Sequence, residues 1–228
     1  MKQQVKNFLS YVNKALLLPS LQNQNVTGSK FTRTAITGVK DNTFNLLRST
    51  VDKVKIDIKG QHNIFECNDA YLFESNISIT GTNNKLEIHP GVKLRGAKVI
   101  IRGDNCVIKI GSDTTFEGIR MVNVGKDNDI TIGSDCLFSD NIELWASDTH
   151  SILNENGEFI NPERPVRIGN KVWVGAKVTI LKGVTINDGS IIGMGSVVTK
   201  DVPANVVSAG YPNKTIKENV SWKNEYGK

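Results

Sequence analysis

Histidine, cysteine and long apolar runs are all scarce in this chain of 228 residues. The three histidines lie far apart in the sequence, and no CxxC pair or nearby histidine accompanies the three cysteines, so no metal site is expected. No apolar run approaches the ~20 residues that span a bilayer. The N-terminus also lacks the apolar core and cleavage site of a secretory signal. These absences predict a cytoplasmic protein without a transmembrane segment.

Charge is present in ordinary amounts. Charged residues make up 22% of the chain and hydrophobic residues 39%, as in a typical globular protein, and the net charge is +5. Because this excess is small, no nucleic-acid partner is expected.

Cys67, Cys106 and Cys136 cannot all pair with one another, and the last two open six-residue units in a column that valine fills elsewhere. These cysteines are expected to be small buried hydrophobic residues in a reduced protein.

Residues 166–201 organise the rest of the sequence. Cut every six residues, they read VRIGNK, VWVGAK, VTILKG, VTINDG, SIIGMG and SVVTKD, with glycine recurring in the fourth or sixth column. A period of six fits neither the helical period of about 3.6 nor one uninterrupted strand. It is typical of a solenoid, in which short extended segments and tight turns alternate.

A looser repeat precedes these hexads. Asn63, Asn84, Asn105 and Asn128 each end a polar turn, and their spacings are 21, 21 and 23 residues. Three hexads make a coil of 18 residues, so each of these earlier coils is expected to carry three to five extra residues at one corner. Asn, Asp and Gly tolerate the left-handed backbone conformation that such a corner requires.

The chain divides into three predicted parts. Residues 1–53 combine an amphipathic helix over about residues 2–18 with a polar lead-in of short strands and turns. The helix is expected to pack on the protein or on another subunit, although its lysines leave weak association with a membrane surface open. Residues 54–203 form the solenoid, interrupted by a loop over 148–165 that contains His150. Residues 204–228 form a cap, in which TIKENVSW predicts a short helix.

The motif SDTHSI, followed by a loop and then PVRIGNKVWVGAKVTILKGVTINDGSIIGMGSVVTKDVPANVVSAGYPNKTIK, resembles the hexapeptide-repeat acyltransferases. More narrowly, it is similar to the sugar O-acetyltransferases related to the maltose, galactoside and capsule-modifying enzymes. The resemblance is strong over residues 142–222 and extends over 84–141 through the repeat alone. It implies a left-handed parallel β-helix of triangular section and a homotrimer with active sites at the subunit interfaces. It also implies acetyl-CoA as donor and a hydroxyl of a sugar or polysaccharide, such as a capsule or O-antigen glycan, as acceptor.

The resemblance also gives individual residues roles. His150 stands where the family carries its catalytic histidine, and an imidazole with a reference pKa of about 6.5 suits a general base at neutral pH. Asp148 either orients that ring or caps the turn. Trp173 resembles the tryptophan that lines the acetyl and pantetheine slot, and backbone N–H groups of residues 173–176 are candidates for binding the oxyanion. The further coenzyme contacts that the resemblance implies are Ala176, Met194, Thr199, Lys200, Lys214 and Lys217.

Two other functions stay open on the sequence. N-acetylation of an amino-sugar nucleotide would use similar coils, but such relatives usually carry an N-terminal nucleotide-binding βαβ unit, which residues 20–53 do not resemble. A non-catalytic β-helix scaffold would account for the repeat but leaves His150 and its motif unexplained.

Overall fold

The computed structural model describes residues 24–225, and every regular element within that range is a β-strand. The strands form three sheets, named A, B and C here, and the chain visits them in that order in coil after coil. The predicted helix over residues 2–18 lies outside the described residues. Within the described part, no helix is long and apolar enough to cross a membrane.

Sheet A has eight strands, which are all parallel. They are β1 (Asn25–Thr27), β4 (Thr43–Leu47), β7 (Ile64–Asn68), β10 (Lys85–Ile88), β13 (Val107–Ile110), β16 (Asp129–Ile132), β19 (Val166–Ile168) and β22 (Thr185–Ile186).

Sheet B has ten strands, of which only the last runs antiparallel to its neighbour. They are β2 (Lys30–Thr32), β5 (Thr50–Asp52), β8 (Tyr71–Phe73), β11 (Lys93–Arg95), β14 (Thr115–Phe116), β17 (Leu137–Phe138), β20 (Trp173–Val174), β23 (Ile191–Ile192), β25 (Val207–Gly210) and β26 (Asn213–Lys217).

Sheet C again has eight parallel strands. They are β3 (Ala35–Thr37), β6 (Lys55–Gln61), β9 (Asn76–Thr82), β12 (Lys98–Asp104), β15 (Ile119–Lys126), β18 (Ile142–Trp145), β21 (Thr179–Ile180) and β24 (Val197–Val198). Three sheets visited in turn make a solenoid of triangular section, so the predicted parallel β-helix is confirmed.

The core fills the inside of this triangle. Side chains alternate between the interior and the outer face along each strand, and the inward positions are apolar because successive coils bury them completely. Phe44 stacks on Phe65 one coil later, with the ring centroids 4.7 Å apart. The three cysteines are buried and unpaired, as the sequence predicts.

The extra residues of the early coils lie at the corner between sheets C and A, named the C–A corner here. In sheet A, Thr43 lies beside Ile64 and Ile64 beside Lys85, which gives coils of 21 residues. Later, Arg167 lies beside Thr185, which gives a coil of 18. The difference comes from sheet C, where β6, β9 and β12 have seven residues each and β21 and β24 only two.

An asparagine ladder runs inside this corner. The Asn63 and Asn84 side chains are fully buried, and each amide oxygen accepts the backbone N–H of the ladder residue in the next coil at 3.0 Å. The next position after Asn84 is occupied by Cys106, so Asn105 is not equivalent to Asn63 and Asn84, and its predicted place in that series is wrong by one residue. Asn105 instead adopts the left-handed conformation at the exposed tip of the turn, with φ of 55°.

The strand ladder extends beyond the recognisable sequence repeat at both ends. The strand ladder already begins at Asn25, which pairs with Asn45 of the next coil, although the sequence repeat becomes recognisable only near residue 54. At the other end, β25 continues sheet B beyond residue 203. The division of the chain into domains 1–53, 54–203 and 204–228 stays a prediction.

The predicted C-terminal capping helix is wrong. After β25 the chain turns and returns as β26, antiparallel to it, and the rest of TIKENVSW is irregular. The physical reason is that β25 has an open edge whose backbone groups need partners, and the β-branched Thr215 and Ile216 suit a strand. The cap is therefore a β-hairpin.

Candidate active site

The loop that carries His150 leaves the solenoid at the C–A corner, between β18 and β19. Its middle folds back on itself, since an isolated antiparallel bridge joins Leu153 to Phe159 and the Ile160 N–H donates to the Ile152 carbonyl at 3.0 Å. These four apolar side chains are about half exposed. The loop is thus a hairpin arm that projects from the solenoid, with the exposed His150 at its base.

Lys182, on the first regular coil after the loop, holds both ends of this arm. Its Nζ donates to Asp148 Oδ2 at 2.5 Å, to the Asn161 carbonyl at 2.9 Å and to the Pro162 carbonyl at 3.1 Å. The Lys182 side chain is only 18% exposed. One partly buried ammonium therefore ties the start and the end of the loop to the solenoid.

Asn161 completes this clasp from within the loop. Its Nδ2 donates to Asp148 Oδ2 at 2.8 Å and to the His150 carbonyl at 2.9 Å, and its Oδ1 accepts the Ile152 N–H at 2.6 Å. The backbone on both sides of His150 is consequently fixed by hydrogen bonds, while the imidazole remains accessible.

The Asp148 carboxylate is held by these partners. Burial raises the pKa of Asp148, but the hydrogen bonds from Lys182 and Asn161 and the Lys182 charge outweigh burial, so the pKa lies below its ordinary value. Among residues 24–225, no hydrogen bond joins this carboxylate to the His150 ring. Asp148 is therefore linked to His150 only through Asn161 and the loop backbone among these residues.

Trp173 lies on the outer face of sheet B, where its side chain is 40% exposed. Its ring centroid lies 6.1 Å from that of Trp222, and the Trp222 Nε1 donates to the Lys171 carbonyl at 2.8 Å. The C-terminal segment thus returns to the coil that carries Trp173 and makes one wall beside it.

Ala176 and Met194 occupy equivalent places in successive coils at the corner between sheets B and C, named the B–C corner. The Gly195 N–H donates to the Ala176 carbonyl at 2.9 Å, and Met194 is 74% exposed. The N–H groups of Gly175 and Lys177 donate to carbonyls of neighbouring coils, whereas the Ala176 N–H has no acceptor in the described part of the chain. That N–H is free to bind an oxyanion, within the segment predicted for this purpose.

Lys214 and Lys217 lie on β26, at the end of sheet B that follows the coil of Met194. Lys217 is paired with Val207, which belongs to the same register row as Trp173. Both lysines are exposed, and neither forms an ion pair with another described residue. Their strand, β26, lies three strands beyond β20, the strand of Trp173, so the two lysines put cations at the last edge of sheet B.

Thr199 and Lys200 lie elsewhere. They follow β24 at the C–A corner, one coil beyond Lys182, and both are exposed. The predicted residues therefore fall into two groups. Trp173, Ala176, Met194, Lys214 and Lys217 lie on sheet B and the B–C corner, and Asp148, His150, Thr199 and Lys200 lie at the C–A corner. Within one coil, six residues of about 3.3 Å each separate the corners, or about 20 Å.

An arginine and a tryptophan meet on sheet C, immediately before the loop. The Arg120 guanidinium carbon lies 4.7 Å from the Trp145 ring centroid, and the Trp145 Nε1 donates to Glu143 at 2.8 Å. Arg120 Nε is buried and has no hydrogen-bond partner among the described residues. This cation is half-buried and forms no ion pair with any of them.

Comparison with known proteins agrees with this architecture. The signature described as "Bacterial transferase hexapeptide (six repeats)" matches residues 165–200. The galactoside O-acetyltransferase of Escherichia coli (strain K12) is 47% identical over 84 residues, which are 36% of this chain and 40% of that protein. The polysialic acid O-acetyltransferase of Escherichia coli O1:K1 / APEC is 46% identical over 88 residues, 38% of this chain and 29% of that protein.

These two matches span well under half of each curated relative. A solved structure, the polysialic acid O-acetyltransferase OatWY, matches much more fully: it is 31% identical, with a TM-score of 0.67, over 90% of this chain and 88% of that chain. This chain belongs to the hexapeptide-repeat acyltransferase family. The resemblance predicted from the sequence is confirmed, in the branch of the sugar and polysaccharide O-acetyltransferases.

Several residues around the hexapeptide-repeat site were not predicted from the sequence. Lys182 occupies an ordinary fifth column in VTILKG, and Asn161 lies in a loop without a period, so neither carries a local signal. Trp222 and Trp145 are distinctive because the chain has only three tryptophans. That scarcity could have marked them, but their partners could not be read from the sequence.

Proposed function

We propose that this chain is an acetyl-CoA-dependent O-acetyltransferase that acts on a hydroxyl group of a sugar or polysaccharide, with His150 as the general base. The observation that carries the proposal is the clasp, which fixes the backbone around His150 and leaves its imidazole accessible. A general base needs this combination of fixed position and access to the acceptor. Membership of the acetyltransferase family supports the same reaction.

The reaction moves one acetyl group. The acceptor oxygen attacks the thioester carbonyl while His150 removes the hydroxyl proton, and a C–O bond forms. The resulting oxyanion accepts a hydrogen bond from the free Ala176 N–H. When the C–S bond breaks, the protonated imidazole returns its proton to the departing coenzyme A thiolate. The products are the acetyl ester and the free thiol.

Coenzyme A would bind along the B–C corner, since Trp173, Ala176 and Met194 are accessible there and Lys214 and Lys217 supply cations for its phosphates. In one chain these residues lie about 20 Å from the C–A corner. The pocket that contains both His150 and the thioester would therefore combine the C–A corner of one copy with the B–C corner of another. This geometry supports the homotrimer that the sequence resemblance implies. A reaction that uses the cellular acetyl-CoA supply would take place in the cytoplasm.

The test is release of free thiol from acetyl-CoA with a panel of saccharides, serine and amino-sugar nucleotides. We expect release with a saccharide, and a His150→Asn variant should lose about 10²- to 10⁴-fold in kcat. His62→Asn is a matched control, because His62 lies at the C–A corner of an earlier coil and adopts a left-handed conformation that Asn tolerates. Light scattering checks that both variants keep the mass of the trimer.

Three results would overturn the proposal. Thiol release with amines alone would indicate N-acetylation. Near-normal turnover by His150→Asn would show that His150 is not the general base. Absence of release with every acceptor, by a correctly assembled protein, would favour a scaffold.

A further inference from the structure

The outer face of sheet C carries twice as many cations as acidic residues. Its outward cations are Lys55, Lys59, Lys98, Arg102, Arg120 and Lys126, and its acidic residues are Asp57, Asp104 and Glu143. On sheet A, Lys85 forms ion pairs with Glu66 and Glu87. Sheet B mixes both cases, since Arg95 pairs with Glu117, the residue after β14, whereas Lys214 and Lys217 form no ion pair with any residue in 24–225.

The cations of sheet C are mostly unpaired. Lys59 pairs with Asp57 at 3.1 Å, but Lys55, Lys98 and Arg102 form no ion pair with any residue in 24–225. Strand register puts Lys55, Asn76, Lys98 and Arg120 in one row across four coils. Since neighbouring strands are about 4.8 Å apart, Lys55 and Arg120 lie about 14 Å apart along the solenoid axis.

Arg120 is the last cation of this row, and it lies one coil from β18, the strand that leads into the His150 loop. Glu143 is its neighbour in the next coil, yet that carboxylate accepts the Trp145 Nε1 and forms no ion pair with Arg120. The guanidinium instead stacks on the Trp145 ring, and its buried Nε has no hydrogen-bond partner in the part of the chain that the structure describes. A buried guanidinium nitrogen without a hydrogen-bond partner is costly, so an arrangement of this kind suits a site whose anion arrives with a ligand. Trp145 ends β18, from which the loop to His150 departs.

We propose that the outer face of sheet C binds an acidic polysaccharide acceptor, and that Arg120, stacked on Trp145, recognises the carboxylate of the sugar unit nearest His150. The guanidinium can hold a carboxylate with two parallel hydrogen bonds, and the indole offers an apolar wall to a sugar ring. Lys98, Arg102 and Lys55 bind further carboxylates along the polymer. This inference rests on the proposed function, because it names the acceptor class of that same site.

The test measures binding without turnover. The His150→Asn protein is titrated with fluorescently labelled polysialic acid, polygalacturonate and hyaluronate, each also in its carboxyl-reduced, neutral form. We expect at least one acidic polymer to bind about tenfold or more tightly than its reduced form, with an affinity that falls steeply as salt rises. Arg120→Met should weaken that binding about 10- to 100-fold, because a hydrogen-bonded charge is lost, and Arg120→Lys should restore part of it.

Matched controls come from the other faces. Lys93→Met on sheet B and Lys109→Met on sheet A remove one exposed cation each and should leave binding unchanged. Should Arg120→Met fold poorly, the Lys98→Met/Arg102→Gln double variant tests the same face at exposed positions. Steady-state kinetics of the parent and of Arg120→Met should show a raised KM for the acidic acceptor and an unchanged KM for acetyl-CoA.

Three results would overturn the inference. The first is equal binding of the acidic and reduced polymers, and the second is unchanged binding by both sheet C variants. The third is a raised KM for acetyl-CoA in Arg120→Met, which would assign Arg120 to the coenzyme phosphates. The outcomes also separate this inference from the proposed function. Binding of acidic polymers without thiol release contradicts the proposed function alone. Acetylation of neutral sugars without binding of acidic polymers contradicts only the sheet C site.

Discussion

Replacing Lys182 by Met should open the loop that carries His150 while leaving the solenoid intact. Methionine keeps the length and apolar stem of the side chain but removes the ammonium. Three contacts disappear with it, one to the Asp148 carboxylate and two to the carbonyls at the far end of the loop. Because strand pairing continues past the loop without it, with Ile130 beside Val166, global stability should change little.

The expected magnitude follows from these contacts. A hydrogen bond to a charged group contributes about 1.5–3 kcal/mol, but Asp148 is 40% exposed, so solvent screening reduces this contribution to the lower end. All three contacts come from one ammonium, and water can replace it at these partly exposed acceptors, so the clasp as a whole should lose about 2 kcal/mol, which raises the population of the open loop about 30-fold. The kcat should fall with it, since His150 spends less time in position.

Amide hydrogen exchange measures the opening directly. The Ile152 N–H, bonded to Asn161 Oδ1, and the Ile160 N–H, bonded to the Ile152 carbonyl, should exchange about 30-fold faster in Lys182→Met. Lys93→Met removes an exposed lysine from sheet B and serves as the control. Unchanged exchange at both amides would refute the role of the clasp.

The clasp also has a pH dependence with a definite sign. The pKa of Asp148 is lowered in the folded protein, so its contribution is present above the unfolded pKa of about 3.9 and disappears as the pH falls through the folded value. Loop protection in the parent protein should consequently hold from neutral pH down to about pH 4 and decline in stronger acid. Lys182→Met should lose most of this acid-dependent decline.

Two further predictions concern the interior. Asn84→Ala should lower the free energy of unfolding of the solenoid by about 3 kcal/mol, as measured by urea denaturation. The reason is that the Cys106 N–H, the Gly103 carbonyl and the Asn63 amide oxygen each lose a buried hydrogen-bond partner. A change below about 0.5 kcal/mol would contradict the importance of the ladder. The cysteines should resist alkylation at pH 8 in the native protein, because burial raises the pKa of Cys67 to about 12 and that of Cys136 to about 11 and also raises the pKa of Cys106. Rapid labelling of any of the three before unfolding would refute this.

The sequence by itself determined the repeating part of the protein. Each coil presents the same alternation of inward apolar and outward polar residues, so the period of six in residues 166–201 already defines strands, turns and stacking. The burial of Cys106 and Cys136 followed from the columns that they share with valine. The position of the loop was visible because the period stops there.

Only the tertiary structure decided what depends on register between coils. Whether Asn105 or Cys106 enters the ladder is a shift of one residue, and the side chain that points inward changes with it. The cap became a hairpin because β25 exposed an edge that β26 could pair with.

The contacts of the proposed site also depend on how the coils stack. Lys182 meets Asp148 across 34 residues and Arg120 meets Trp145 across one coil, and no local pattern records either meeting. Propensity and periodicity act over a few neighbouring residues, whereas these contacts arise from the stacking of coils. For that reason the residues that hold the His150 loop and the cation that stacks on Trp145 emerge only in three dimensions.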